Sequence, residues 1–119
     1  MGKFVIRETP TGFVFDLKAS NGETIAVSEV YSTKVSAIKG AESVAKCAAS
    51  AKLADLTEGI TATNPKFELF QDKAGEFRFR LKARNGEVIA VSEGYSTKAS
   101  CVNGIESVRR NAPEAMIVD

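Results

Sequence analysis

The second half of this 119-residue chain repeats the first. Phe13 to Ala48 match Phe77 to Ala112 at 23 of 36 positions. The run Ile25-Ala26-Val27-Ser28-Glu29, then Tyr31-Ser32-Thr33-Lys34, returns as Ile89-Ala90-Val91-Ser92-Glu93, then Tyr95-Ser96-Thr97-Lys98. Lys3-Phe4 also matches Lys66-Phe67, with one extra residue in the second copy near Glu76, inside a glycine-containing turn. Turns tolerate an insertion, whereas in a half-buried strand a one-residue slip inverts every side chain. A unit of this size covers one sheet face with one helix and is marginal alone, so two copies are expected to share a core.

Each copy reads as strand, strand, strand, helix. Phe67 to Phe70 is a short strand, and Gln71 to Gly75 is turn chemistry. From Glu76 to Ala83 apolar and polar residues alternate. Phe77, Phe79, Leu81 and Ala83 share one face, and Arg78, Arg80 and Lys82 share the other, as in a half-buried strand. Arg84-Asn85-Gly86 turns the chain back into Val88 to Ser92. A three-residue loop with Gly86 in the left-handed conformation is expected to pair Leu81 with Ile89 and Phe79 with Val91. The first copy, with Gly22 at the turn, is expected to pair Leu17 with Ile25 and Phe15 with Val27. Ser96 or Thr97 suits the N-cap of the following helix, and Pro113 ends it. Cys101, Ile105, Val108 and Ala112 recur at helical spacing, as do Val35, Ile38, Ala41, Val44 and Ala48 in the first copy. A glycine sits in the middle of both helices, Gly40 and Gly104, where it costs about 1 kcal/mol relative to alanine. Its equivalent placement predicts a close approach of the helices to each other or to the sheet. Ala51 to Leu56 and Ala115 to Val118 are candidate fourth strands.

The expected architecture is α+β: a tandem pseudo-twofold repeat of a β3-α-β unit. One continuous, antiparallel-rich sheet would carry two helices on one face. The chain is expected to form a single domain, with repeat 1 over 3–57, a connector over 58–65 and repeat 2 over 66–119.

Charge and residue types narrow the function. Sixteen basic residues face fifteen acidic ones, giving a net charge of +1. A large nucleic-acid footprint or a polybasic membrane surface normally leaves a larger bias. No apolar run approaches the ~20 residues that span a bilayer, and Met1 to Arg7 lacks a signal-peptide core, so a cytoplasmic location without membrane contact is expected. The chain has no histidine, which removes Ser-His-Asp and Cys-His nucleophile systems and imidazole-based zinc sites. Its two cysteines, Cys47 and Cys101, occupy non-equivalent positions and are expected to be buried, reduced thiols. No catalytic residue, metal site or cofactor is assigned, and the chain is expected not to be an enzyme.

The segments 75–87 (Gly-Glu-Phe-Arg-Phe-Arg-Leu-Lys-Ala-Arg-Asn-Gly-Glu), 92–98 (Ser-Glu-Gly-Tyr-Ser-Thr-Lys) and 103–112 (Asn-Gly-Ile-Glu-Ser-Val-Arg-Arg-Asn-Ala) resemble the YegP-like family of small bacterial proteins. The first copy departs from the pattern at Asp16, Lys39 and Cys47. The resemblance implies β3-α-β repeats that form one sheet and exchange their C-terminal strands. It also implies single-repeat members that reach the same architecture as homodimers, and no established biochemical activity. A monomer containing an internal pseudo-dimer follows for this chain.

Two surface features are candidate sites. The first is the repeated polar corner, Ser28, Glu29, Tyr31 and Lys34 with Ser92, Glu93, Tyr95 and Lys98. Free amides at a helix start, a phenol and an ammonium there are suited to binding. Capping, packing and ion pairing also explain the same residues. The second is the basic stripe Arg78, Arg80, Lys82 and Arg84, a candidate contact for nucleic-acid phosphates, which is equally explained as a solvated strand face. Ser43-Val44-Ala45-Lys46 matches Ser-x-x-Lys, but the second copy has Arg110 and the accompanying motifs are absent, so the match is ascribed to chance. The expected role is a small non-enzymatic interaction or regulatory module with a protein partner. Nucleic-acid binding through the repeat 2 stripe is the alternative, followed by small-ligand binding or an enzyme of unidentified class.

Overall fold

A computed structural model describes residues 2–119. Met1, the start of the stretch read for a leader, lies outside the described residues. The chain order is β1 (Lys3–Thr9), β2 (Gly12–Lys18), β3 (Thr24–Val27), α1 (Lys34–Ala48), β4 (Lys52–Asp55), a 3-10 turn (Leu56–Glu58), β5 (Lys66–Gln71), β6 (Phe77–Lys82), β7 (Val88–Val91), α2 (Lys98–Asn111) and β8 (Met116–Val118). All eight strands form one mixed sheet in the order β4-β5-β6-β7-β3-β2-β1-β8. The architecture is therefore α+β, with two helices and a single sheet. Five strand pairs are antiparallel, and two, β4 with β5 and β8 with β1, are parallel. The halves join at the centre, where Val27 pairs with Val91. No described helix is long and apolar enough to cross a membrane.

Alternation places Phe4, Phe15, Leu17, Phe67, Leu69, Phe79 and Leu81 inward, where they form one core with Val44 of α1 and with Ile105 and Val108 of α2. Phe4 meets Phe15 edge-on, and Phe67 meets Phe79 in the same way. The α2 stripe is as expected: Cys101, Ile105, Val108 and Ala112 are all buried. On α1 the stripe is rotated, because Ala37 and Cys47 are buried while Val35 lies exposed. Both cysteines are free and buried. Burial, together with the charge of Asp55, pushes the Cys101 thiol up to about 11.

The hairpin turns are as expected, but the register beyond them is corrected. Gly22 and Gly86 are left-handed, at φ 88° and 86°. The amide of Ala83 donates to Glu87 O, closing a three-residue loop, and Lys82 pairs with Val88. Beyond Lys82 the register shifts by one: Leu81 pairs with Ala90, not Ile89, and Arg80 pairs with Val91. The first copy does the same, pairing Leu17 with Ala26 and Asp16 with Val27. Ile25 and Ile89 are the extra residues of two β-bulges. A bulge lets consecutive residues face one side. Ile89 and Ala90 therefore both enter the core, and Val91 turns to the outer face.

The shifted register carries the chain into the helix. Ser28 now lies opposite Phe15: its amide donates to Phe15 O, and its Oγ accepts from Phe15 N at 2.9 Å. Ser92 repeats both bonds with Phe79. Tyr31 and Tyr95 then bridge to Phe13 and Phe77, and their rings stack on Phe15 and Phe79. These phenols explain the paired glycines. A Cβ on Gly40 would collide with the Tyr31 hydroxyl, and one on Gly104 with the Tyr95 hydroxyl. The close approach predicted at Gly40 and Gly104 is thus to a tyrosine and, at Gly104, to Phe79 of the sheet, 3.1 Å from such a Cβ. Gly104→Ala is expected to destabilise by roughly 1–3 kcal/mol through overpacking, against the helix-propensity gain of about 1 kcal/mol. Tyr95→Phe should relieve part of that loss, so chemical denaturation of the two single variants and the double variant should show positive coupling.

Candidate functional site

Each polar corner is assembled where a hairpin strand hands over to a helix. Ser28 Oγ donates to Glu29 O and Ser92 Oγ to Glu93 O, both at 2.8 Å, so each serine hydroxyl is used as donor and acceptor. Thr33 and Thr97 are the N-caps, accepting from the amides of Ser36 and Ser100 at 3.1 Å. Thr97, rather than Ser96, therefore starts the second helix. Lys98 reaches into the other half of the chain and pairs with Asp55 at 3.1 Å and Glu58 at 3.2 Å. Lys34 points in the equivalent direction and lies 3.9 Å from Asp119. Glu29 and Glu93 are exposed.

The electrostatics suit tethering better than proton transfer. Burial pushes both phenols above the ordinary tyrosine value. Nearby Glu29 and Glu87 add to this at Tyr31, and Cys101, Glu93 and Glu23 add to it at Tyr95. The hydrogen bond to Asp55 raises Lys98 further. Near neutral pH both tyrosines are therefore protonated and Lys98 is a cation.

The basic stripe is a network of ion pairs. Arg78 Nε donates to Asp72 at 2.7 Å. Arg80 Nε donates to Glu68 at 2.7 Å, and Lys66 and Lys82 lie 3.3 Å and 3.4 Å from the same carboxylate. Arg80 also stacks over Phe70, 4.7 Å from the ring centre. Glu68 is only 5% exposed. Its burial favours the neutral acid, but the bonds from Arg80 and Lys66 and the charges of Arg80 and Lys82 outweigh it and hold its pKa below the usual value. In the first half the polarity is reversed: Asp16 occupies the position of Arg80, and Arg7 supplies the cation at 2.7 Å. Of the four stripe residues, Arg84 alone makes no ion pair among the described residues.

A third feature was not singled out in the sequence. A cleft of about 520 Å3 lies between the C-terminal half of α1 and the β6–β7 hairpin. Ser43, Lys46, Cys47 and Ser50 line it from the helix side, and Ala83, Arg84 and Asn85 from the hairpin. The available signal was divergence between the copies, since Cys47, Ser50 and Arg84 correspond to Asn111, Glu114 and Ser20.

The Glu68 network has a defined pH signature. A carboxylate whose folded pKa is lowered contributes stability above its unfolded value of about 4.3, and loses it as pH falls through the folded value. Glu68→Gln should lower stability at pH 7 by about 1–3 kcal/mol. It should also flatten the fall in Tm below about pH 4.5, as measured by thermal denaturation across a pH series.

Comparison with known proteins accords with this architecture. The family model described as "Domain of unknown function (DUF1508)" matches twice, at residues 11–55 and 72–119. A UPF0339 protein of Treponema denticola is 65% identical over 54 residues, 45% of this chain and 93% of its own length. The UPF0339 protein YegP of Yersinia pestis is 37% identical over 120 residues, covering 100% of this chain and 96% of its own. The solution NMR structure of yegP from E. coli, a protein of unknown function, superposes with a TM-score of 0.80 at 35% identity, covering 99% of this chain and 91% of that one. A matching domain in each half, and similarity along the full length, show that this chain belongs to the UPF0339 (YegP) family.

Proposed function

We propose that the protein is a small non-enzymatic interaction module that docks a protein partner at the end of the sheet where β8 lies. One observation carries this reading: exposed large apolar side chains gather around that end. Val35, Met116 and Val118 are 62%, 65% and 39% exposed. The approach of Lys34 to Asp119 brings the start of α1 beside the end of β8. The equivalent positions in the other half are Ala99, Lys52 and Ala54, and the apolar exposure there is confined to Leu53 and Ile60, at 37% and 51%. Exposed apolar clusters of this kind mark interaction surfaces.

The two sheet edges differ in the same sense. At the β4 edge Arg109 donates to Ala51 O at 2.7 Å, Ile60 N donates to Asp55 O, and the 3-10 turn follows directly. The β8 edge carries Met116 and Val118 beside an open row of backbone groups. Such an edge suits an extended apolar segment that adds a strand.

The frame for this reading is a pseudo-dimer in one chain, with the C-terminal strands exchanged between repeats. Its support is that β4 follows the first helix and pairs with β5, while β8 follows the second and pairs with β1. Lys98 to Asp55 ties the two halves in the same crossed manner. The Treponema denticola relative, nearly all of which matches half of this chain, corresponds to one unit. Nucleic-acid binding is the weaker reading, because phosphates would have to displace Glu68 and Asp72 from Arg80, Lys82 and Arg78.

Light scattering on a size-exclusion column is expected to give a monomer of 12.7 kDa; a dimer mass would contradict the single-chain pseudo-dimer. In pull-downs from a bacterial lysate, a protein retained by the wild type should be lost with Met116→Glu/Val118→Glu. It should be kept with Arg78→Glu/Arg80→Glu/Lys82→Glu. Equal recovery by all three baits sinks the docking proposal. Retention on a heparin or single-stranded DNA column that is lost only in the triple variant would replace it with the nucleic-acid reading.

A further inference from the structure

We infer that the cleft between α1 and the β6–β7 hairpin is a binding site for a small organic phosphate. This site is separate from the docking edge and independent of it. The case starts from what the duplication predicts. Equivalent helices meet equivalent hairpins, so a cleft in one place should have a counterpart in the other. At the corresponding hairpin there is only a smaller hollow of about 220 Å3, lined by Gly2, Lys3, Ala19, Ser20 and Gly22 rather than by the face of α2. Two contacts account for this. Asn111, in the place of Cys47, folds back so that its Nδ2 donates to Ser107 O at 2.8 Å. Gly2 packs onto it so closely that a Cβ there would lie 2.9 Å from Asn111 Cβ. The smaller Cys47 leaves the corresponding room in the first half.

The larger cleft also carries the more suitable charge. Lys46 and Arg84 are its two cations, and no acidic side chain lines it. Neither cation is in an ion pair among the described residues, whereas Arg78, Arg80 and Lys82 on the adjoining face all are. At the counterpart the position of Arg84 is Ser20, and that of Ser50 is the acid Glu114. The first cleft thus has one more cation than the corresponding positions of the other half, and a neutral serine where that half has an acid. Arg84 offers a planar fork of donors and Lys46 a point charge, a pair matched to a dianionic phosphoryl group with three acceptor oxygens. Ser43 and Asn85 add neutral donors from opposite walls.

Size and floor argue for an organic body on the phosphate. Organic ligands occupy clefts of roughly 300–1,000 Å3, far more than a bare anion needs. Cys47 and Ala83 are both in the core cluster and form an apolar floor on which a carbon skeleton can rest. Ser43 and Lys46, the Ser-x-x-Lys pair ascribed above to chance, thus share one wall of a single site.

The test is a titration of 15N-labelled full-length protein with phenyl phosphate, inorganic phosphate and benzoate, followed by amide chemical shifts. Phenyl phosphate is expected to produce saturable shifts confined to residues 43–50 and 83–86, with affinity above both other probes. Lys46→Ala and Arg84→Ala are exposed substitutions that should each weaken it about tenfold, the scale of one charge-assisted contact. Arg110→Ala, at the counterpart, should leave it unchanged. Shifts that do not saturate, that spread over basic residues generally, or that respond equally to Arg110→Ala overturn the site. Benzoate binding as tightly as phenyl phosphate overturns the phosphate assignment.

Discussion

The bulge at Ile25 and Ile89 decides where both helices can lie. One extra residue sends Ile89 and Ala90 inward together and brings Ser92 opposite Phe79. The serine hydroxyl takes the amide proton that a ladder carbonyl would otherwise accept, and so closes the sheet where the strand begins to turn away. That closure seats Tyr95 on Phe79, and the phenol then requires a helix that offers no Cβ at the point of contact, which is Gly104. Each step is repeated in the first half by Ile25, Ser28, Tyr31 and Gly40. The conserved look of the two polar corners follows from this sequence of contacts.

Where the copies differ, the differences come in compensated pairs. Asp16 answers Arg7, whereas Arg80 answers Glu68, whose counterpart is Val5, so each half keeps an ion pair here but draws the partner from a different position of the neighbouring strand. Gly12 leaves space that Val30 occupies, while in the other half Gly94 leaves space for Glu76. Such exchanges keep two diverging halves compatible with one sheet. The cleft beside α1 has no compensating partner: Cys47 leaves room and Arg84 adds charge on one side without a matching change that fills it. An uncompensated divergence of this kind is the mark expected of a surface that selection treats separately.

Much of this architecture was legible in the sequence because its signals are local. Alternation marked β6, glycine marked the left-handed turns, and the Ser96-Thr97 pair marked the start of α2 to within a residue; each depends on neighbours within a few residues. The bulge was not legible. Strict alternation makes Ile89 and Ala90 alternatives for the core, and only a pairing partner shows that both can enter it. Gly40 and Gly104 stood out as costly, but the phenol that requires them reaches the helix from a strand end, which spacing along the helix does not reveal. The stripe of Arg78, Arg80 and Lys82 looked like free charge, because Glu68 sits on the neighbouring strand and Asp72 in the preceding turn. The cleft was invisible for a related reason: its walls are 33 or more residues apart in the chain and meet only through the pairing of the halves.

The parallel pairs at the two edges constrain the order in which the molecule can be made. β4 emerges soon after α1, yet its partner β5 begins only at Lys66. β1 precedes its partner by more than 100 residues, and its outer side stays open until Met116–Val118 arrive. Contacts that close so late are slow to form and leave a strand edge unsatisfied meanwhile. During synthesis the first repeat is thus an incomplete sheet with an exposed margin. Its protection in that interval falls to the charges on β1 itself, Lys3, Arg7 and Glu8, which discourage edge-to-edge pairing with a second nascent chain.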